Sequence, residues 1–379
     1  MEQSLDEMRN NHWVLSLLFS LTSKGLAQHS NKNRSLPLFV EESINESELA
    51  TKINEIESKQ FNLFNEYGWR VHLLPLSNGS QAWIFNFHHI IFDGWSINLF
   101  LTELQNRYNR RDALKESSIN YGDYVCWKKE LVSRYENESL NYWSSILAET
   151  SDLISVSGDE KPESSIIQET LSLPTSELLC RFCKQNKTTP FIVLFSIFQL
   201  TLLEFFNKDK FLVGISDSGR EHPDIENMLG CFINTPIFCV KKMPECSLIS
   251  MIDKVKEDYA NVLKYPAPAF SQLIKQLGKQ GKKNGFNDFC QVCFVMQPSY
   301  AESIFFGSTK MKKLPIVSHE VRLIYEMSCW QQQNDEFILM LNFDRSKVQE
   351  QDARRLMSEY IRFINTLIDK PDKPVTTIV

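Results

Sequence analysis

The sequence predicts an α/β fold from three features. Stretches of period 2 alternate with stretches of period 3/4, a long apolar helix sits among short apolar strands, and a breaker-rich segment near residue 160 separates two such arrangements. The first switch of period lies at residues 83–108. Trp83-Ile84-Phe85-Asn86-Phe87 alternates as a strand with aromatics on one face. Extending that parity puts His89 on the aromatic face and His88 on the other. Beyond Gly94, Ile97, Phe100, Leu101, Leu104 and Tyr108 recur at helical spacing, with Ser96 as the predicted N-cap. Two histidines thus stand where a strand gives way to a turn and a helix, a place from which a scaffold can present a base.

The remaining elements follow in order. Trp13 to Leu21 is predicted as a buried helix; Glu2, Asp6 and Glu7 against Arg9 give its flank the wrong charge for an export signal. Asp152 to Ser165 is polar and rich in breakers, and dividing there gives lobes of 1–160 and 161–379. Thr189 caps, and Pro190 opens, a helix from Phe191 to Phe206 that is apolar nearly all round. Strands are expected at Phe211–Ile215 and Phe232–Val240, and a helix after Ser247 with Ile249, Ile252, Val255 and Val262 on one face. Two strands near Leu323–Cys329 and Phe337–Phe343 precede a last helix carrying Leu356, Tyr360, Ile364 and Leu367. Gly278 to Lys283 reads as a solvated turn.

Composition narrows the function. The 379 residues suffice for two lobes with separate cores. A net charge of −6 argues against a nucleic-acid partner, since phosphate binding needs a basic face. No apolar run is long enough to span a bilayer, so no membrane role is expected. Nine cysteines without a signal fit a reducing cytoplasm. Cys180/Cys183 falls in a helical pattern and Cys290/Cys293 in a strand-like one, so buried thiols are expected there and no metal.

The run His88-His89-Ile90-Ile91-Phe92-Asp93-Gly94-Trp95-Ser96 resembles the His-His-x-x-x-Asp-Gly signature of the chloramphenicol-acetyltransferase-like superfamily. Its Gly-Trp-Ser continuation is similar to the condensation domains of nonribosomal peptide synthetases. Further matches are Tyr121-Gly122-Asp123-Tyr124-Val125-Cys126-Trp127, Tyr142-Trp143, the loop from Val213-Gly214 to Gly219-Arg220, and Leu229-Gly230-Cys231-Phe232-Ile233-Asn234-Thr235. Tyr265-Pro266 with Phe270 is a loose match. The order and spacing agree over roughly residues 60 to 379. His12-Trp13-Val14-Leu15 to Phe19 looks like a decayed Arg-His-Glu-x-Leu-Arg-Thr-x-Phe motif without its arginines. The Ser-x-Ala-Gln-x-Arg opening motif and the Arg-Asp-x-Ser motif are not matched, with Asn287-Asp288-Phe289 in the latter's region. A shortened N-terminus and a free-standing domain are therefore expected.

The resemblance implies two chloramphenicol-acetyltransferase-like α/β lobes in a V-shaped pseudo-dimer, with the histidine motif at their junction and a tunnel for two pantetheine arms. It assigns catalysis to His89 with His88 in support, and gives Asp93 a structural ion pair. Arg220 is the candidate partner. Gly94 is expected to serve the turn; Trp95, Ser96 and Asn234 are candidate substrate contacts. For Asn234, a strand-end amide satisfying backbone is an equal alternative. A Ser96-His89-Asp93 triad is disfavoured, because no Gly-x-Ser-x-Gly elbow exists.

The function implied is amide formation between a carrier-bound acyl or peptidyl thioester and an amine, by a cytoplasmic monomer without bound cofactor. Carrier proteins would act in trans, with a soluble amine as another acceptor. Two alternatives stand beside it: an acyltransferase using an alcohol or acyl-coenzyme A, and a non-catalytic remnant that docks carriers.

Overall fold

The computed structural model describes residues 1–111, 119–148, 154, 161–243, 245–267, 290–297, 304–312, 314, 321–332 and 334–375. The expected turn at 278–283, residues 287–289, Phe270 and most of the linker at 152–160 lie outside them. The chain forms two compact units. One contains Met1–Lys128, Ser218–Ile233 and Ala301–Lys313; the other contains Lys129–Asp217, Asn234–Tyr300 and Leu314–Val379. This departs from a single cut near residue 160. The physical reason is burial: Ile225, Met228, Leu229 and Phe232 share a core with Phe92, Phe100 and Tyr121, so the Arg220 segment packs with the first unit.

In the first unit, α1 (Glu2–Asn11) is followed by a 3₁₀ turn and a hairpin of β1 (Leu17–Thr22) and β2 (Gly25–Ser30). The buried helix expected over Trp13–Leu21 is thus a turn and a strand. Leu17–Thr22 pairs with the next segment across a turn that Gly25 closes at φ 108°. After β3 (Leu38–Val40) and α2 (Leu49–Ser58), β4 (Trp69–Pro75) pairs parallel to β3 and antiparallel to β5 (Gln81–Phe87). Helix α3 (Gly94–Tyr108) leaves β5 through the histidine turn. Trp69 and Phe100, both fully buried, and Phe87, stacked on Phe92 at 4.0 Å, fix that turn against the core.

Helices α4 (Tyr121–Arg134) and α5 (Glu136–Ala148) lead on to β6 (Ser164–Thr170). The second unit then places α6 (Leu173–Gln185) and α7 (Pro190–Phe205) before β7 (Lys210–Ser216). The Thr189 hydroxyl accepts the N–H of Ile192, the cap the sequence predicts, and α7 is buried from Ile192 to Leu203. The short helix α8 (Pro223–Glu226) belongs to the first unit. β8 (Ile237–Lys241), α9 (Leu248–Lys264) and β9 (Val292–Gln297) follow. The small hairpin of β10 (Ile304–Phe306) and β11 (Thr309–Met311) lies on α3, where Phe306 meets Tyr108 edge-on.

The strands β12 (Tyr325–Gln331) and β13 (Phe337–Asp344) and the helix α10 (Glu350–Asp369) complete the chain. Six strands form one mixed sheet in the order β6-β13-β12-β9-β7-β8. Helix α10 packs on α7, with the Tyr360 hydroxyl donating to Leu194 O at 2.9 Å. The strand expected at 232–240 begins only at Ile237: Pro236 O accepts the Ile215 N–H but proline has no N–H to return, which sets the bridge between Asp217 and Asn234 apart from the ladder. No single described helix is long and apolar enough to cross a membrane; the bent pair α6–α7 passes by composition, and its second helix is core.

Candidate functional site

The turn after β5 is built by its own backbone. His88 donates its N–H to Gly68 O, Ile91 donates to His88 O, and Phe92 donates to His89 O. The strand ends at Phe87, so parity does not extend to His89, which sits in the turn. His88 is half-buried; its Nδ1 accepts the N–H of Ile90 at 3.1 Å and its ring meets Phe61 edge-on. His89 is exposed, and its Nδ1 lies 3.7 Å from Cys231 Sγ.

Below the histidines lies a buried polar network. Asp93, not Ser96, is the N-cap of α3: its Oδ1 accepts the Ser96 N–H at 2.7 Å. Its Oδ2 accepts the Phe232 N–H at 3.0 Å, and its own N–H goes to Gly230 O. Arg220 Nη2 stands 3.3 Å from Asp93 Oδ1 and 3.0 Å from Ser96 Oγ. Its Nη1 donates to Ile225 O and Met228 O, and the guanidinium carbon sits 4.1 Å above the Phe232 ring. Burial pulls the Arg220 pKa down, against the charge and hydrogen bonds of Asp93. Side-chain exposures of 3% and 4% make this a desolvated pair. It lies within the first unit.

Ser96 is fully buried. Its hydroxyl donates to Gly230 O and accepts from Gly230 N and Arg220, which leaves it no surface for a substrate. The expected contact is therefore a framework contact, for the same burial that makes a serine triad impossible. Trp95 is partly exposed and donates Nε1–H to Glu226 O. Gly94 begins α3 without a positive φ; the left-handed glycine is Gly219, at φ 64°, where a Cβ would come within 2.0 Å of Phe232 O. Asn234, in the second unit, exchanges backbone bonds with Asp217, and its Oδ1 accepts the Thr235 N–H. That is the strand-end arrangement the sequence leaves open.

Three contributors have no role assigned from the sequence, although two of them, Tyr121 and Cys231, stand in its motifs. The Tyr121 hydroxyl donates to Cys231 O at 2.7 Å, and its ring lies where a Cβ on Gly230 would stand. Burial pushes the Tyr121 phenol well up. Cys231 itself sits between two residues whose backbone the motif grips. Glu103, on the motif helix, is fully buried and meets His12 Nε2 at 2.7 Å and Arg107. The single signal for that last pair was the survival of His12 in an otherwise apolar stretch. Among the described residues no group of histidine, cysteine and carboxylate side chains could hold a metal; Cys293 on β9 and Cys290 just before it are buried thiols, and none of the nine cysteines is in a disulfide.

A family model described as Condensation domain matches residues 1–379. Gramicidin S synthase 2 of Brevibacillus brevis is 25% identical over 317 residues, which is 82% of this chain and 7% of that protein. The chain spans between 2% and 10% of the curated relatives it matches. Among solved structures, a holo four-domain nonribosomal peptide synthetase bound to AMP and glycine superimposes with TM-score 0.85 at 18% identity, covering 99% of this chain and 30% of that one. The epimerization domain from the third module of tyrocidine synthetase B gives TM-score 0.76 at 13% identity, covering 97% and 88%. The buried Asp93–Arg220–Ser96 framework thus stands in a mixed α/β fold shared with these chains, and a match over the whole length places this chain in the condensation domain family, whose members have two chloramphenicol-acetyltransferase-like lobes.

Proposed function

We propose that this chain forms an amide bond between an acyl or peptidyl thioester, held on the phosphopantetheine arm of a carrier protein, and an amine acceptor. One observation carries the reading: an exposed imidazole, His89, is mounted on a turn whose base is a desolvated and hydrogen-bonded framework. Such a mount fixes one polar group while its surroundings stay rigid, which is what aligning two bound reactants requires. In the reaction the amine nitrogen attacks the thioester carbonyl, the C–S bond breaks, and the departing sulfur leaves with the proton the amine gives up. His89 touches the reacting atoms; His88, pinned through its Nδ1, holds the turn. Asp93, Gly94 and Arg220 keep the framework in place, and Trp95 offers its exposed ring edge.

Delivery on a carrier fits this arrangement, because tethering supplies effective concentration without tight intrinsic affinity. The test offers one acyl group on a carrier protein, on coenzyme A and on a small thiol, with a fixed amine. Turnover several-fold faster from the carrier is expected. Equal or better turnover with acyl-coenzyme A would instead make the chain a free acyltransferase. Carrier binding without turnover from a folded sample would favour a docking role.

A further inference from the structure

The contact between Cys231 and His89 has no part in the roles above, yet the framework aims it. Gly230, on one side of Cys231, has its N–H bonded to Ser96 Oγ and its carbonyl to the Asp93 N–H. Phe232, on the other side, gives its N–H to Asp93 Oδ2, and Cys231 O accepts the Tyr121 hydroxyl. With its backbone held at these points, Cys231 directs its sulfur to 3.7 Å from His89 Nδ1.

Two further facts place the proton. The Ile233 N–H faces the sulfur and favours its charged form, but it is outweighed. Burial, together with the nearby Asp93 charge, pushes the thiol up to about 11, so at neutral pH the sulfur keeps its hydrogen. A thiol is a weak donor, and His89 Nδ1 is the ring nitrogen in front of it, able to accept that hydrogen when it carries no proton of its own. A ring nitrogen that accepts carries no proton, so the neutral imidazole carries its proton on the other one.

We propose that Cys231 is a positioning residue that holds neutral His89 with its proton on Nε2, so that His89 meets the substrate as a hydrogen-bond donor. This rests on the reading of His89 as the group at the reacting atoms. When the amine attacks, the carbonyl π pair moves to oxygen and the Nε2–H donates to that oxyanion. Collapse re-forms the C=O bond and breaks the C–S bond. The proton lost by the amine ends on the departing sulfur.

The experiment is nitrogen-15 spectroscopy of histidine-labelled protein above histidine's ordinary pKa of about 6.5, with the His89 signals assigned by their loss in His89→Ala. Wild type should show a bare Nδ1 and a protonated Nε2. Cys231→Asp places a pure acceptor opposite Nδ1 and should move the proton there. Its kcat should fall by about 10²-fold, the size of losing one oxyanion donor, with KM little changed. Cys231→Ser, which still donates, should stay within about threefold of wild type, within the worth of one neutral hydrogen bond. Protonated Nδ1 in the wild type overturns the proposal, as does a folded Cys231→Asp enzyme that keeps wild-type kcat. The spectrum of the wild type needs no turnover, so it remains decisive if Cys231→Asp fails to fold or if the condensation reading fails.

Discussion

At the scale of single residues, Asp93 is used three times over: as a helix cap, as acceptor for the Phe232 N–H and as partner of Arg220. Removing either member of the ion pair strands the other charge away from water, at a cost of about 3–5 kcal/mol. Asp93→Ala and Arg220→Ala are each expected to lower unfolding free energy in denaturant by that order. The double variant should be no worse than the more damaging single, because the two share one interaction. Additive losses would show that the residues act separately. The pairing itself was legible in the sequence, since both residues stand in motif positions. The cap was not. An Asp three residues before Ser96 fits the N-cap pattern as well as Ser96 does, and only the backbone, with Gly94 already helical, decides between them.

At the scale of elements, the motif helix α3 is anchored at its other end by Glu103. Burial alone would push this carboxyl up, but the hydrogen bonds and charges of His12 and Arg107 outweigh it and hold the pKa below the ordinary value. A carboxylate lowered in the folded state contributes stability that is present above the unfolded value of about 4.3 and is lost as pH falls through the folded one. His12→Ala should cost about 1–3 kcal/mol at neutral pH, the worth of a charged hydrogen bond. It should also flatten the loss of stability below about pH 4.3, since the carboxyl loses a main cause of its lowering. An unchanged acid slope in urea titrations at several pH values would contradict that role. His12 also shows where elements escaped the sequence. The apolar run after it was long enough for a helix, and only pairing with Gly25–Ser30 makes it a strand.

At the scale of the whole molecule, local periodicity was enough for α7, α9, α10, β7 and β13, whose buried faces repeat within the element itself. It was insufficient for the division of the chain. Segment 218–233 lies far along the sequence yet shares the core of the first unit, and no linear pattern encodes which core a loop joins. That exchange is what brings Arg220, Gly230, Cys231 and Phe232 to the histidine turn; Arg220 was legible from its motif, whereas the contacts of Gly230, Cys231 and Phe232 with that turn were not. Centrally, the exposed His89 is held to perform the chemistry while the buried residues beneath it only support it. The direct measurement is single-turnover amide formation from a carrier-loaded acyl thioester and an amine, comparing wild type with His89→Ala at matched folded fraction. A loss of about 10²–10⁴-fold with unchanged melting temperature is the expected result. Product at the wild-type rate from the folded variant would contradict the claim.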